Sequence, residues 1–244
     1  MKIASGTEIV GKALFFPEKG ILAIADLHIG YEGMLNEKGV MVPRVQFREM
    51  TSDLKNVLDE IEKSNGKIKE VVILGDLKHD FKRISMQEWK DVSSMLDFLK
   101  KHAEKIALIK GNHDTILEPI AGQKGMELRD FYIREDICFV HGHRMFAECL
   151  DRKIKTIVMG HRHPALVLKD KTKSESYKCF LSGKWKGRQV IIMPSFFPLV
   201  EGTDISADFE NKLAFNLNLK NFKVYAVGDK VYEFGVLKSL KKLA

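Results

Sequence analysis

No stretch of this chain is apolar for the roughly 18 to 20 residues that a membrane-spanning helix needs, and Met1 to Gly11 lacks the unbroken apolar core of a secretory signal. A soluble, cytoplasmic protein with no membrane partner is therefore expected. Cysteine is scarce. Cys138, Cys149 and Cys179 show no CxxC spacing and their odd count argues against a disulfide framework, so free and mostly buried thiols are expected. Neither an internal repeat nor a low-complexity linker interrupts the 244 residues, and 45% hydrophobic content suffices for a real core, which predicts one domain over 1–244. Acidic residues are in the minority, 33 against 40 lysines and arginines. The resulting net charge of +7 favours polyanionic partners in general without naming one.

What is present is organised around Val71 to Asp80, VVILGDLKHD. Four apolar residues, three of them β-branched, read as a strand buried on both faces, and the run stops at Gly75 so that Asp76 sits in a turn at the strand's C-terminal edge. Open α/β sheets place their chemistry at such edges. Other strand-like runs end alike: Ile21 to Ala25 in Asp26-Leu27-His28, Ile106 to Ile109 in Gly111-Asn112-His113-Asp114, Ile137 to Val140 in His141-Gly142-His143, and Ile154 to Met159 in Gly160-His161-Arg162-His163. Seven of the eight histidines fall in these segments, and only His102 lies outside, so the segments read as one site.

Around them, Thr7 to Val10 and Ala13 to Phe16 read as a hairpin. Apolar positions at helical intervals predict helices over Val45 to Lys63, stopped at Ser64-Asn65-Gly66, and over Gln87 to His102. Strands alternating with helices indicate a mostly parallel sheet. After Asp114 the rhythm changes. Thr115 to Asp130 reads as irregular or short helix, Phe131 to Ile133 as a strand, and Arg144 to Lys153 as a helix. Strands follow at Ala165 to Lys169, Tyr177 to Gly183, Arg188 to Met193, Phe222 to Val227 and Lys230 to Phe234. An α/β half followed by a β-rich half predicts two facing sheets with helices outside.

Asp26 and His28 are two residues apart, which in an extended chain sends both side chains to one cation. Asn112 adds a neutral oxygen, and Asp114 beside His113 could orient that imidazole. Two His-x-His pairs, each beside a glycine that gives the backbone room, complete a set of nitrogen and oxygen donors.

In this order the five segments resemble the calcineurin-like metallophosphoesterase superfamily, over roughly residues 21 to 200. The resemblance implies a four-layer αββα sandwich of two mixed sheets flanked by helices, the C-terminal strands completing the second sheet. It also implies two divalent transition-metal ions, with manganese first and iron, zinc, nickel or cobalt as alternatives. Asp26, His28, Asp76 and His163 would hold one, Asp76, Asn112, His141 and His161 the other. Such a pair sharpens a bridging water into hydroxide for in-line attack on a phosphodiester, with His113 as proton donor supported by Asp114. Arg162 and Arg144, placed beside the histidines, read either as balancing phosphate charge or as surface arginines in ion pairs. One departure stands out. Where the family often has Gly-Asp-x-x-Asp this chain has His79, which resembles the SbcD-related phosphoesterases and nucleases and suggests contact with a diester's second arm. Pro194-Ser195-Phe196 to Gly202-Thr203 resembles the small phosphoesterases associated with Lhr-type helicases or DNA ligases. A nucleotide or nucleic-acid substrate, and association with a helicase or ligase, follow from that subgroup. A non-catalytic scaffold of the same fold is the alternative.

Lys169 to Arg188 carries a positive excess through Lys169, Lys171, Lys173, Lys178, Lys184, Lys186 and Arg188, interleaved with Tyr177 and Trp185. It reads either as a track for a phosphate backbone with stacked bases or as a solvated hairpin tip. Lys238 to Lys242 reads as a charged end.

Overall fold

The computed structural model describes residues 1–244 except 65, 82–83, 171, 206–216 and 241–244. Asn65 of the expected helix stop, Lys171 of the basic stretch, and Lys241 and Lys242 lie outside the described residues.

Seven strands form the first sheet in chain order: β1 (Lys2–Ala4), β2 (Thr7–Val10), β3 (Ala13–Phe16), β4 (Ile21–Ile24), β5 (Glu70–Ile73), β6 (Lys105–Ile109) and β7 (Leu128–Arg129). The first four run as an antiparallel meander and β4 to β7 are parallel. The parallel strands are linked by helices: α1 (Tyr31–Glu37) and α2 (Gln46–Lys63), then α3 (Met86–Lys100), then α4 (Glu118–Gln123). The second sheet comprises β8 (Phe131–Arg134), β9 (Ile137–Val140), β10 (Thr156–Met159), β11 (Pro164–Lys169), β12 (Ser174–Trp185), β13 (Arg188–Ile192) and β14 (Thr203–Asp204), with β15 (Lys223–Val227) and β16 (Val231–Val236) attached through β12. Its centre is parallel, β9-β10-β13; β8, β12 and β11 join it antiparallel, and β14 pairs parallel with β11.

Alternation along the strands explains how the sheets stack. On β4 and β5, Leu22, Ile24, Val71 and Ile73 join the core under α2 and α3, while Ile21, Ala23, Val72 and Leu74 face the other way. There they meet Phe139, Val158, Phe180 and Ile191 of the second sheet in a shared central core. Residues pointing to opposite faces in turn, both faces apolar, are what a strand buried on two sides requires. The outer face of the second sheet buries Cys138, Ile157, Leu181 and Val190 under Cys149, Leu219, Phe222 and Leu237. Among the described residues, its cover is short: 3-10 helices at Ala147–Leu150 and Leu219–Asn221, and α5 (Leu237–Leu240).

The structure corrects several expectations. The helix over Arg144 to Lys153 is a single 3-10 turn at Ala147–Leu150, because Cys149 is its one buried residue and there is no apolar stripe to dock a longer helix. Cys149 is bonded to Cys138 of β9 with Cα atoms 5.6 Å apart, and Cys179 alone is a free, buried thiol. An odd count excludes complete pairing, not one bridge. Helix α1 buries none of its residues, so it left no periodicity to read, and β1, β7 and β14 are too short to show any. No helix among the described residues is long and apolar enough to cross a membrane.

Candidate metal centre

The loops that follow β4 and β5 continue the pairing of their strands. Asp26 N donates to Gly75 O at 3.2 Å and His28 N to Asp76 O at 2.9 Å, so the two loops are zipped together above the sheet. Their backbones are not extended. Asp26, His28, Asp76, His161 and His163 all have positive φ, 45° to 67°, a left-handed conformation in which non-glycine residues are uncommon and cost about 1 to 3 kcal/mol when enforced. Asp26 and His28 therefore converge through a tight loop, not through the extended chain that their i, i+2 spacing suggested. Glycines leave the room. A Cβ on Gly111 would stand 2.1 Å from Asp76 Oδ1, and one on Gly160 would stand 2.4 Å from Asp26 Oδ2.

Each carboxylate is anchored through one oxygen by a backbone N–H and turns the other toward imidazole nitrogens. Asp76 Oδ1 accepts from His113 N at 2.9 Å and Asp26 Oδ2 accepts from His161 N at 2.9 Å. The second oxygen of Asp26, Oδ1, is buried without an aligned hydrogen bond, 3.3 Å from His163 Nε2. His163 Nε2 is in turn 3.4 Å from His28 Nε2. Across the site, His141 Nε2 lies 3.1 Å from Asn112 Oδ1, 3.1 Å from His161 Nδ1 and 3.4 Å from Asp76 Oδ2. Asp76 Oδ2 is also 3.8 Å from His28 Nε2, so it faces both groups. Asp26, His28, Asp76 and His163 could hold one ion, and Asp76, His141 and His161 another, with Asn112 beside the latter.

The spacing fits cations. Donors about 2.0 to 2.1 Å from a tetrahedral or octahedral ion stand roughly 3.0 to 3.4 Å from one another, and the shorter separations here, 3.1 to 3.4 Å, fall in that range, with His28 Nε2 and Asp76 Oδ2 wider at 3.8 Å. Imidazole nitrogens at that separation cannot all be satisfied by protons. His141 Nδ1 donates to Leu74 O at 2.7 Å, which commits that nitrogen's proton outward and turns Nε2 into the site.

Electrostatics agree. Burial alone would raise Asp26, but His163 and His141 hold it below the usual carboxylate range, and Asp76 is held down against burial by His141, His28 and His113. Burial pushes His28 down to about 3, and burial together with His141 takes His161 to about 4. His141 goes the other way, to about 9, because Asp76 and Asp26 outweigh its burial. Without a cation the cluster thus keeps a proton on His141 between two carboxylates. A cation entering the second set must displace it, so manganese uptake below about pH 9 is expected to release about one proton at that set, with affinity rising about tenfold per pH unit. Calorimetry in buffers of different ionisation enthalpy measures this; uptake with no proton released at pH 7 contradicts it.

A third group, His28, His79 and His113, also brings its nitrogens together. With His28 Nε2 turned to the first set, its proton would sit on Nδ1, where His79 Nδ1, 3.3 Å away, could accept it. This trio therefore reads as a ligand and its support. His79 is committed to His28 on that side, and its ring also packs on Tyr31. His113 Nδ1 donates to His79 O at 2.5 Å, while its Nε2 is 3.9 Å from Asp76 Oδ2. Asp114 does not orient His113. Its buried carboxylate instead accepts from Gly111 N at 2.9 Å and Lys78 N at 3.3 Å, and burial with the nearby Asp76 charge raises it to about 7.

Arg162 is half-buried beside His161, and Arg144 is exposed. His143 ends beside His141 and His161, and His102 contacts Phe98 away from the site. Sequence reasoning missed Glu88, which accepts from His79 N and Asp80 N at 3.0 and 3.2 Å and so sets the loop carrying His79. Ser85-x-x-Glu88, where Ser85 caps α3, was the available signal. It also missed the aromatic wall. Phe81 is 47% exposed with its ring 3.7 Å from that of His113, and Phe197 lies against both His28 and Tyr31.

The basic stretch divides. Lys178 is buried, and Arg188 donates to Leu150 O, Asp151 O and Lys186 O. Tyr177 and Trp185 pack against the outer core of the second sheet. Lys169, Lys173, Lys184 and Lys186 remain exposed.

A family model described as calcineurin-like phosphoesterase matches residues 20–229. No curated protein sequence matches the chain. Among solved structures, the Pseudomonas putida nuclease MPE is similar at 20% identity over 91% of this chain and 92% of that one, with a TM-score of 0.61. Yfce, a phosphoesterase from E. coli, is 14% identical over 88% and 98%, at 0.41, and Entamoeba histolytica Vps29 complexed with zinc is 15% identical over 88% and 97%, at 0.40. The nuclease supports the shared fold.

Proposed function

This chain belongs to the calcineurin-like phosphoesterase family, and from that premise we propose that it hydrolyses phosphodiesters at a centre for two divalent cations. Asp26, His28, Asp76 and His163 hold one, and Asp76, Asn112, His141 and His161 the other. The observation that carries this is Asp76 Oδ2, which faces a nitrogen of each set at 3.4 and 3.8 Å while its partner oxygen is tied to His113 N. The donors are imidazole and oxygen without thiolate, a set that suits manganese, iron, zinc, nickel or cobalt. Bound there, a cation pair lowers the pKa of water and neutralises charge on the phosphoryl oxygens.

The chain's own residues do the rest. His79 accepts the His28 Nδ1 proton and fixes which nitrogen of His28 faces inward. His113 keeps one proton on Nδ1, held by His79 O, and presents Nε2 above the Asp76 carboxylate, where it can pass a second proton to a leaving oxygen. Arg162 lies beside the second set to meet a phosphate oxygen. Phe81 against His113, Tyr31 against His79 and Phe197 against His28 form an aromatic wall, which suits the second ester arm of a diester better than the additional charge of a monoester.

A substrate panel at fixed manganese tests the reading, with an aryl diester, an aryl monoester, 2′,3′-cyclic nucleotides and labelled DNA compared. The aryl diester is expected to turn over faster than the aryl monoester, and the opposite order removes the diester assignment.

A further inference from the structure

Lys178 is a charged residue in the central part of β12 that is only 6% exposed, and no step above uses it. Its Nζ donates to Ser195 Oγ at 2.8 Å, Val200 O at 2.6 Å and Glu201 O at 3.4 Å. All three ammonium protons are thereby engaged, and all three acceptors lie on the loop that follows β13. Burial and the neighbouring Lys12 pull this ammonium down to about 7, with the charges of Glu201 and Asp26 opposing them. A buried ammonium is costly unless fully hydrogen-bonded, and an apolar side chain would fill the same space more cheaply. The charge therefore does something that packing does not.

The other side of the same loop touches the first cation set at three places. Phe196 N donates to Ala25 O at 2.7 Å and Phe197 N to Asp26 O at 3.3 Å. The Phe197 ring stands edge-on to His28, centroids 6.0 Å apart. Just beyond Glu201, Thr203 N donates to His163 O at 2.7 Å, and Gly202 approaches His163 O so closely that a Cβ there would lie 2.1 Å from it. A cavity of about 570 Å³ lined by Lys12, Lys178, Phe196, Pro198 and Glu201 among others adjoins the loop, while Phe196 and Phe197 pack into the core under the first sheet's helices.

We propose that Lys178 is a positioning residue: its ammonium clamps the 195–201 loop, and the segment from 195 to 203 holds Asp26, His28 and His163 in the geometry of the first cation set. Both Asp26 and His163 have positive φ, a conformation that persists only where surrounding contacts over-determine it. The second set, from Asn112, His141 and His161, receives none of these loop contacts. Loss of the clamp thus weakens the first set far more than the second, which the loop reaches only at one remove, through the bond from His161 N to Asp26 Oδ2.

This rests on the two-cation reading and is tested apart from turnover. Lys178→Met keeps the aliphatic stem and removes the charge. Manganese affinities of the two sets are read by chelator competition, and paramagnetic resonance distinguishes a coupled ion pair from a single ion. The wild type is expected to give the coupled spectrum. The variant should load the second set normally and the first about 10 to 100-fold more weakly, so that at intermediate manganese it shows the single-ion spectrum. Ser195→Ala, which leaves both carbonyl bonds to Lys178, should shift the first set in the same direction by less, and covers the case in which Lys178→Met does not fold. Equal weakening of both sets with a lowered Tm means a general structural role and overturns the proposal. Unchanged affinities in the folded variant overturn it too, as do unchanged affinities in Ser195→Ala should Lys178→Met not fold. A wild type that binds fewer than two ions defeats the two-cation reading itself, and the proposal with it.

Discussion

Asp76→Asn is expected to lose both cations together and to lower diester turnover by roughly a thousandfold or more, since several kcal/mol of charge stabilisation depend on the pair and each 1.4 kcal/mol is tenfold. The substitution keeps shape and keeps an oxygen for the His113 N bond, so the loop itself is preserved. What it removes is the negative charge that faces His141 Nε2 at 3.4 Å and His28 Nε2 at 3.8 Å. Asp26→Asn is the informative partner, because Asp26 Oδ1 approaches His163 Nε2 of the first set and no second-set Nε2. It should empty one set and leave the other. Elemental analysis after equilibration in saturating manganese reads the stoichiometry. The stabilisation that metal gives to folding, about 2.7 kcal/mol at a hundred times Kd for one ion, reads it independently through Tm. Retention of one wild-type-affinity ion in Asp76→Asn, with the same result in Asp26→Asn, would show that Asp76 is not shared.

The sheets were legible because their strands are buried on two faces. Ile21 to Ala25 and Val71 to Leu74 are uniformly apolar, and each run ends at the loop that carries the chemistry, so strand, edge and candidate ligand could be read in one line. Histidine is rare enough in the chain that seven at strand ends could be recognised as one cluster, and those seven do meet, whereas His102 does not. What could not be read depends on contacts between distant segments. Nothing local to Lys178 distinguishes it from Lys169 or Lys184, and its burial follows from the position of Ser195 and Val200. The orientation of His113 was assigned to its sequence neighbour Asp114, but in a tight turn adjacent side chains diverge, and the partner is the carbonyl of His79, 34 positions away. The pairing of Cys138 with Cys149 likewise depends on the chain folding back after β9. Spacing also misled at Asp26 and His28, where the right residues converge through left-handed backbone that no i, i+2 rule encodes.

His113→Ala should distinguish chemistry from structure by the leaving group. With an alkoxide leaving group, charge accumulates on an oxygen whose conjugate acid is weak, and a proton donor at that point is worth about 10² to 10⁴-fold. With nitrophenolate, which departs without protonation, the same substitution should cost far less. The geometry supports this split. His113 Nε2 stands 3.9 Å from Asp76 Oδ2, just outside the donors of both cation sets, and its Nδ1 is fixed by His79 O, so the ring is aimed without being a ligand. Alanine removes the imidazole and leaves His113 N, which anchors Asp76 Oδ1, in the backbone. Metal stoichiometry should therefore remain at two while the slope of log kcat against leaving-group pKa steepens. His79→Ala supplies the contrast: it removes the acceptor for His28 Nδ1 and should weaken the first cation set, with a loss similar for all leaving groups once manganese saturates. A loss in His113→Ala that is uniform across leaving groups, with two ions still bound, would remove the proton donor from the mechanism and leave His113 as a wall of the site beside Phe81.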